Sequence, residues 1–124
     1  MQIVSTPNAP EAIGPYSQAI THNGLVFASG QIALKPDGSF VGSGIADQTK
    51  QVFNNLKAVL EASGSGVDKV LKTTLFLTDI KDFALVNSLY AEFFGAHKPA
   101  RSTIAVKQLP RNAMIELECV ATTT

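Results

Sequence analysis

Apolar residues recur along this chain with two periods, and the two do not overlap. Residues 46–63, ADQTKQVFNNLKAVLEAS, place Val52, Leu56, Val59 and Leu60 at helical spacing, with Phe53 and Ala46 adjoining. Gly64 and Gly66 end that helix. Residues 82–94, DFALVNSLYAEFF, bring Phe83, Val86, Tyr90, Phe93 and Phe94 to one side of a second helix, with Gly95 as its stop and Pro99 beyond. The rest of the pattern is extended. After a short strand at Gln2–Val4 and an irregular stretch carrying Pro7, Pro10, Gly14 and Pro15, SQAIT and LVFAS read as strands around HNG. Asn23-Gly24 is favoured two-residue hairpin chemistry, because both central positions want positive φ. QIAL and SFVG flank a second turn, KPDG. VLKTTLFLTD, RSTIAV and AMIELECVA are further strands, the last two joined by KQLPRN.

The order is strands, helix, strand, helix, strands. Helices between strands of one sheet are crossover connections. The pattern therefore predicts a single α+β domain over residues 1–124, a two-layer arrangement of a mixed sheet with two helices on one face. The other face of the sheet is not polar. In VLKTTLFLT, alternation puts Leu71, Leu75 and Leu77 on one side and Val70 and Phe76 on the other; in AMIELECVA, Ile115, Leu117, Cys119 and Ala121 oppose Met114, Glu116, Glu118 and Val120. A second apolar face needs a cover. A further copy of the chain is the expectation, and loops are the alternative.

Charge narrows the partners. Ten basic residues balance ten acidic ones, so no electrostatic footprint marks nucleic acid or anionic membrane. Cys119 is the single cysteine and excludes an internal disulfide. His22, His97 and Cys119 do not follow metal-ligand spacing. MQIVSTPNAP has no basic, apolar secretory pattern, and no run approaches the ~20 apolar residues of a membrane span. The default expectation is a soluble, cytoplasmic protein.

Arg101 is the first candidate for chemistry. It opens a β-branched strand just after Pro99, and a guanidinium is a planar fork that grips a carboxylate through two hydrogen bonds. Ser102 and Thr103 follow as possible further donors; the alternative is a strand-end arginine paired with a local acid such as Glu92. Glu116 and Glu118 share one face of the last strand. In solvent they are surface charge; in an interface at least one is partly buried, with a raised pKa suited to positioning or deprotonating water. Ser29 and Gly30, in SGQ, sit where backbone can approach a ligand, or where a strand bends. Tyr16 can stack on a ligand or fill the core, and Asn87 lies among apolar helix residues. SGSGVDK lacks the phosphate-loop pattern, and nothing marks a nucleophile elbow.

Taken together, IGPYSQAI (13–20), FASGQIAL (27–34), TKQVFNNLKAVLEASG (49–64), VLKTTLFLTDIKDFALVNSLYAEFF (70–94) and PARSTIAVKQLPRNAMIELECVA (99–121) resemble the RidA (YjgF-type) family of imine/enamine deaminases. The resemblance spans nearly the whole chain in order. It implies a chorismate-mutase-like α+β fold with a six-stranded sheet, and a homotrimer with clefts between subunits. It also implies cofactor-free hydrolysis of 2-aminoacrylate-type enamines and imines to 2-keto acids and ammonia. By the same resemblance Arg101 clamps the substrate carboxylate and Glu116 holds the attacking water. Tyr16, Ser29, Gly30, Asn87 and Thr103 line the pocket. Three features depart from the family pattern: Thr103 stands where many members have cysteine, Ala33 replaces a frequent proline, and the connector GAHK is shorter than in some relatives. A non-catalytic trimeric sensor of small 2-keto acids is the competing reading. A ribonuclease or translation inhibitor ranks last, for want of a basic, aromatic surface.

Overall fold

A computed structural model describes all 124 residues. Six strands, β1 (Gln2–Val4), β2 (Ala19–His22), β3 (Leu25–Gln31), β4 (Val70–Leu77), β5 (Ala100–Ala105) and β6 (Ile115–Thr122), form one sheet in the order β1-β2-β3-β6-β4-β5. Helix α1 (Ile45–Ala62) connects β3 to β4, and α2 (Phe83–Phe94) connects β4 to β5. Only β4 and β5 pair in parallel; β6 returns antiparallel between β3 and β4. This is the mixed, two-layer α+β arrangement that the alternation of periods implies.

The expected hairpin is present. Asn23 and Gly24 adopt φ of 50° and 77°, closing β2 onto β3 with His22 opposite Leu25. The second turn is slighter than expected: QIAL and SFVG form no strand pair beyond a single bridge between Leu34 and Phe40. The amide of Asn55, buried on α1, fixes this segment by donating to the Ile32 and Leu34 carbonyls at 3.2 and 2.7 Å. Those carbonyls have found a helix side chain instead of a neighbouring strand.

The core lies between the helices and one face of the sheet. Val52, Leu56, Val59 and Leu60 of α1 pack with Leu75, Leu77, Ile115 and Leu117, all at 0% exposure. Each such side chain contributes about 1.5–3 kcal/mol by leaving water. One expectation fails here. Val70, not Leu71, faces the core: Val70 is fully buried and Leu71 is 47% exposed. The β4–β6 register shifts between Val70 and Lys72, so Leu71 is the extra residue of a bulge, and strict alternation breaks at that point. His97 secures the bulge, its Nε2 donating to the Val70 carbonyl at 2.6 Å.

Away from the helices the sheet presents Ile3, Phe27, Leu71 and Ile104, each 45% exposed or more, with Phe76 and Val120 half-buried beside them. Ile3, Ile20, Phe27 and Val120 are successive cross-strand partners, so the patch runs over four strands.

The irregular segment before β2 hangs on one buried amide. Gln18 Oε1 accepts from the Thr6 N–H at 2.6 Å, and Nε2 donates to the Thr6 and Pro10 carbonyls at 3.1 and 2.8 Å. Gln18→Met keeps the volume but orphans these backbone groups, which costs about 2–4 kcal/mol. Urea denaturation is expected to show that loss, and limited proteolysis to cut first between residues 5 and 15.

Candidate functional site

Arg101 lies near the start of the edge strand β5, opposite Thr73 of β4. Thr73 is fully buried on the helix side, so the pleat carries the Arg101 side chain to that side as well. There α2 receives it. Arg101 Nη1 donates to Asn87 Oδ1 at 2.8 Å, and the guanidinium carbon stands 4.7 Å from the Tyr90 ring centroid and 5.4 Å from that of Phe83. Phe83, Asn87 and Tyr90 occupy one stripe of α2 because helical residues three and four apart are neighbours. The pairing with Glu92 is absent. Glu92 lines an outer groove between α1 and α2 with Lys50 and Phe53, and the chain's one ion pair, Lys57–Glu61 at 4.0 Å, lies elsewhere. Arg101 is thus a half-buried cation, oriented by an amide and two rings, with no acid of its own chain upon it. It borders a cavity of about 360 Å³, shared with Tyr90, Phe94, His97 and Lys98.

Of the two hydroxyls after Arg101, only Thr103 shares its side of the sheet; it pairs with buried Leu75 and is half-buried. Ser102 points the other way, where its Oγ accepts from Lys72 Nζ at 3.0 Å, so it does not join the guanidinium.

Glu116 is on the opposite face. It lies on β6 opposite Phe76 of β4, between Ile115 and Leu117, which are buried toward the helices. Its carboxylate enters a cavity of about 330 Å³ bounded by Tyr16, Gly30, Ile13, Gln31 and Pro110. Burial raises its pKa above the ordinary glutamate value, and the like charge of Glu118 raises it further. Gly30 is glycine for a visible reason: a Cβ there would run into the Glu116 carboxylate. The β3–β6 register also shifts between Ala28 and Gln31, so SGQ is both a strand end and an irregularity. Ser29 spends its hydroxyl on structure, donating to the Ser17 carbonyl at 2.6 Å. Tyr16 stands 55% exposed at the cavity mouth, its N–H donating to the Gly14 carbonyl at 2.9 Å.

The named residues therefore fall into two groups. Arg101, Asn87 and Thr103 gather beside α2, whereas Glu116, Gly30, Tyr16 and Ser29 gather beyond the other face of the sheet. Sequence reasoning missed Tyr90 and Phe83 as supports of the guanidinium. Both sat in the apolar stripe of α2 and read as core; their signal was Asn87 placed between them on the same stripe. No three His, Cys, Asp or Glu side chains converge to hold a metal ion. No helix is long and apolar enough to cross a membrane.

These features define a two-layer α+β protein whose candidate site is divided between the two sides of its sheet. The chain belongs to the family described as Endoribonuclease L-PSP, the YjgF/RidA family, whose model matches residues 6–123. It is 52% identical over 122 residues to Reactive Intermediate Deaminase A, chloroplastic, of Arabidopsis thaliana, a match that covers 98% of this chain and 65% of that longer protein. A RutC family protein of Pyrococcus horikoshii is 47% identical, over 97% of this chain and 96% of its own length. Among solved structures, E. coli TdcF with bound serine superposes over 100% of both chains at 38% identity, with a TM-score of 0.95.

Within a single chain, burial and Glu118 set the sign of a pH effect at Glu116. A carboxyl whose pKa is raised by folding stabilises the fold when protonated, and that contribution is lost as pH rises through its folded value. Glu116→Gln is therefore expected to stabilise the protein against urea at pH 8, with the gain shrinking toward about pH 4. Glu118→Gln should lower the Glu116 titration midpoint, read by carboxyl-carbon NMR.

Proposed function

We propose that this protein is a deaminase of 2-imino acids. It hydrolyses 2-iminopropanoate and 2-iminobutanoate, the tautomers of 2-aminoacrylate-type enamines, to 2-keto acids and ammonia. The observation that carries the reading is Arg101, an oriented, half-buried guanidinium with no carboxylate of its own chain. Such a group is a receptor for the carboxylate that every 2-imino acid carries. The 52% identity to a Reactive Intermediate Deaminase supports the same conclusion.

The chemistry asks little of the protein. A protonated imine carbon is already electrophilic. Arg101 fixes the substrate carboxylate, and Glu116 holds one water against that carbon. Glu116 takes a proton as the water oxygen bonds to carbon, giving a carbinolamine. It returns that proton to the amine nitrogen; as the C–N bond breaks, the regenerated carboxylate takes the proton of the carbinolamine hydroxyl, the C=O bond forms, and ammonia leaves with the keto acid, carrying that last proton away as ammonium. A carboxyl with a raised pKa is suited to these transfers near neutral pH. Tyr16, Gly30 and Ser29 border the Glu116 side of the cleft, Asn87 and Thr103 the Arg101 side, and no cofactor enters these steps.

Because Arg101 and Glu116 project from opposite faces of one sheet, a complete site needs two chains. The apolar strip over Ile3, Ile20, Phe27 and Val120 supports packing of sheets against one another, and the proposed assembly is a homotrimer with a site in each cleft. The neutral charge balance favours this reading over the RNA cleavage that the family's description suggests.

The test is keto-acid release from 2-aminoacrylate generated in situ by a serine dehydratase. Wild type is expected to accelerate it. Arg101→Ala should lose both turnover and 2-oxobutanoate binding, whereas Glu116→Ala should keep binding and lose turnover. Unfolding and reassembling the two inactive variants together in equal amounts should restore about a quarter of the sites, since each takes one residue from each chain. Normal turnover by Arg101→Ala overturns the clamp. Ligand binding without turnover in wild type makes the protein a keto-acid sensor.

A further inference from the structure

Tyr90 has no part in the steps above, yet its contacts form a closed circuit around Arg101. The tyrosine is 7% exposed and lies on α2, its ring packed on Phe94 at 4.6 Å between centroids and edge-on to Phe53 at 6.2 Å. Its hydroxyl shares a buried 2.7 Å hydrogen bond with Thr73 Oγ1. Thr73 is the residue directly opposite Arg101 in the β4–β5 ladder. From that pair the circuit runs through the Thr73 hydroxyl to the phenol, across the ring, and back to the guanidinium 4.7 Å from its centroid. Helix and strand are thereby registered to each other at the point where the cation is held.

We infer that Tyr90 is the positioning residue for Arg101. Its ring face carries the guanidinium, and its hydroxyl, tied to Thr73, fixes that face against β5. The inference rests on the deaminase reading for its consequence, which is ligand affinity, but the stack itself is measurable without any ligand. The physical logic is that a cation over an aromatic face keeps its N–H edge free, whereas a cation in an ion pair does not. Asn87 takes one N–H of Nη1, and the ring takes none; the remaining donors stay available to an incoming carboxylate.

Three measurements test it. First, the Arg101 Nε–H resonance, assigned by its loss in Arg101→Lys, should be shifted upfield by ring current in wild type and in Tyr90→Phe, and should lose most of that shift in Tyr90→Leu, where only the more distant Phe83 ring remains. Second, Tyr90→Leu should raise KM and the dissociation constant of 2-oxobutanoate about tenfold while kcat changes by less than about threefold, and Tyr90→Phe should recover most of that affinity. Third, Thr73→Val and Tyr90→Phe break the same hydrogen bond, so the double variant should bind no more weakly than the worse single one. An unshifted wild-type resonance overturns the stack, and so does wild-type affinity in a folded Tyr90→Leu. Additive losses in the double variant overturn the role of the hydroxyl. Should Tyr90→Leu fail to fold, the wild-type resonance and the Thr73→Val/Tyr90→Phe pair still decide. A wild type that neither binds 2-oxobutanoate nor turns over imine defeats the deaminase reading, while the resonance judges the stack separately.

Discussion

Arg101 and Glu116 address β4 at Thr73 and Phe76, positions three residues apart. Side chains of a strand alternate between its faces, so an odd separation sends the cation to one side of the sheet and the acid to the other. No rotamer undoes this. The strand order adds distance, since Glu116 sits on an interior strand and Arg101 on the edge. Every functional reading that joins the two groups must therefore use a second chain. The apolar patch that the helices leave uncovered supports the proposed assembly, since an exposed apolar face of that extent calls for a cover.

Each half-site is electrostatically unfinished in a way that suits a ligand. A surface ion pair with Glu92 would have been worth only about 0–1 kcal/mol to the fold, but it would have occupied the donors that a substrate carboxylate needs. Two ring faces and an amide hold the guanidinium without consuming its charge. Glu116 shows the converse arrangement. Desolvation and Glu118 both oppose its ionisation, and no hydrogen bond or cation of its own chain offsets them. That is a cost to stability, and perturbed carboxyls of this kind are the ones suited to proton transfer, which is the role proposed for Glu116.

Much of this was legible in the sequence, because period and punctuation report local structure faithfully. Both helices, the Asn23-Gly24 hairpin and the alternation of Ile115, Leu117, Cys119 and Ala121 follow from residue spacing alone. Arg101 was legible too, as a cation out of place at the head of an apolar strand. What escaped has a common cause: it depends on what another element does to the strand or helix in question. The bulge that turns Leu71 outward arises from pairing with β6 and from the His97 tether, and Leu71 in isolation is an ordinary member of an alternating run. Ser102 was offered as a partner for Arg101, but Lys72 claims it on the far face. Tyr90 read as core, and it is core; only its depth under the guanidinium gives it a second role.

The surroundings of Glu116 also show how an irregular segment is held in one place. Residues before β2 have almost no ladder of their own, and Pro7, Pro10 and Pro15 remove donors that one could have used. Gln18 supplies the missing order from inside the protein, gathering the Thr6 and Pro10 backbone around a single buried amide. Ser29 binds the same stretch from the strand side through the Ser17 carbonyl. Tyr16 lies between these two anchors, so its place at the mouth of the Glu116 cavity is set by hydrogen bonds on both sides of it in sequence. Gly30 completes the arrangement by yielding its side-chain volume to the carboxylate. A loop is thus held as firmly as a strand at the point where it meets the acid, which is the precision that the proposed aiming of one water at one carbon requires.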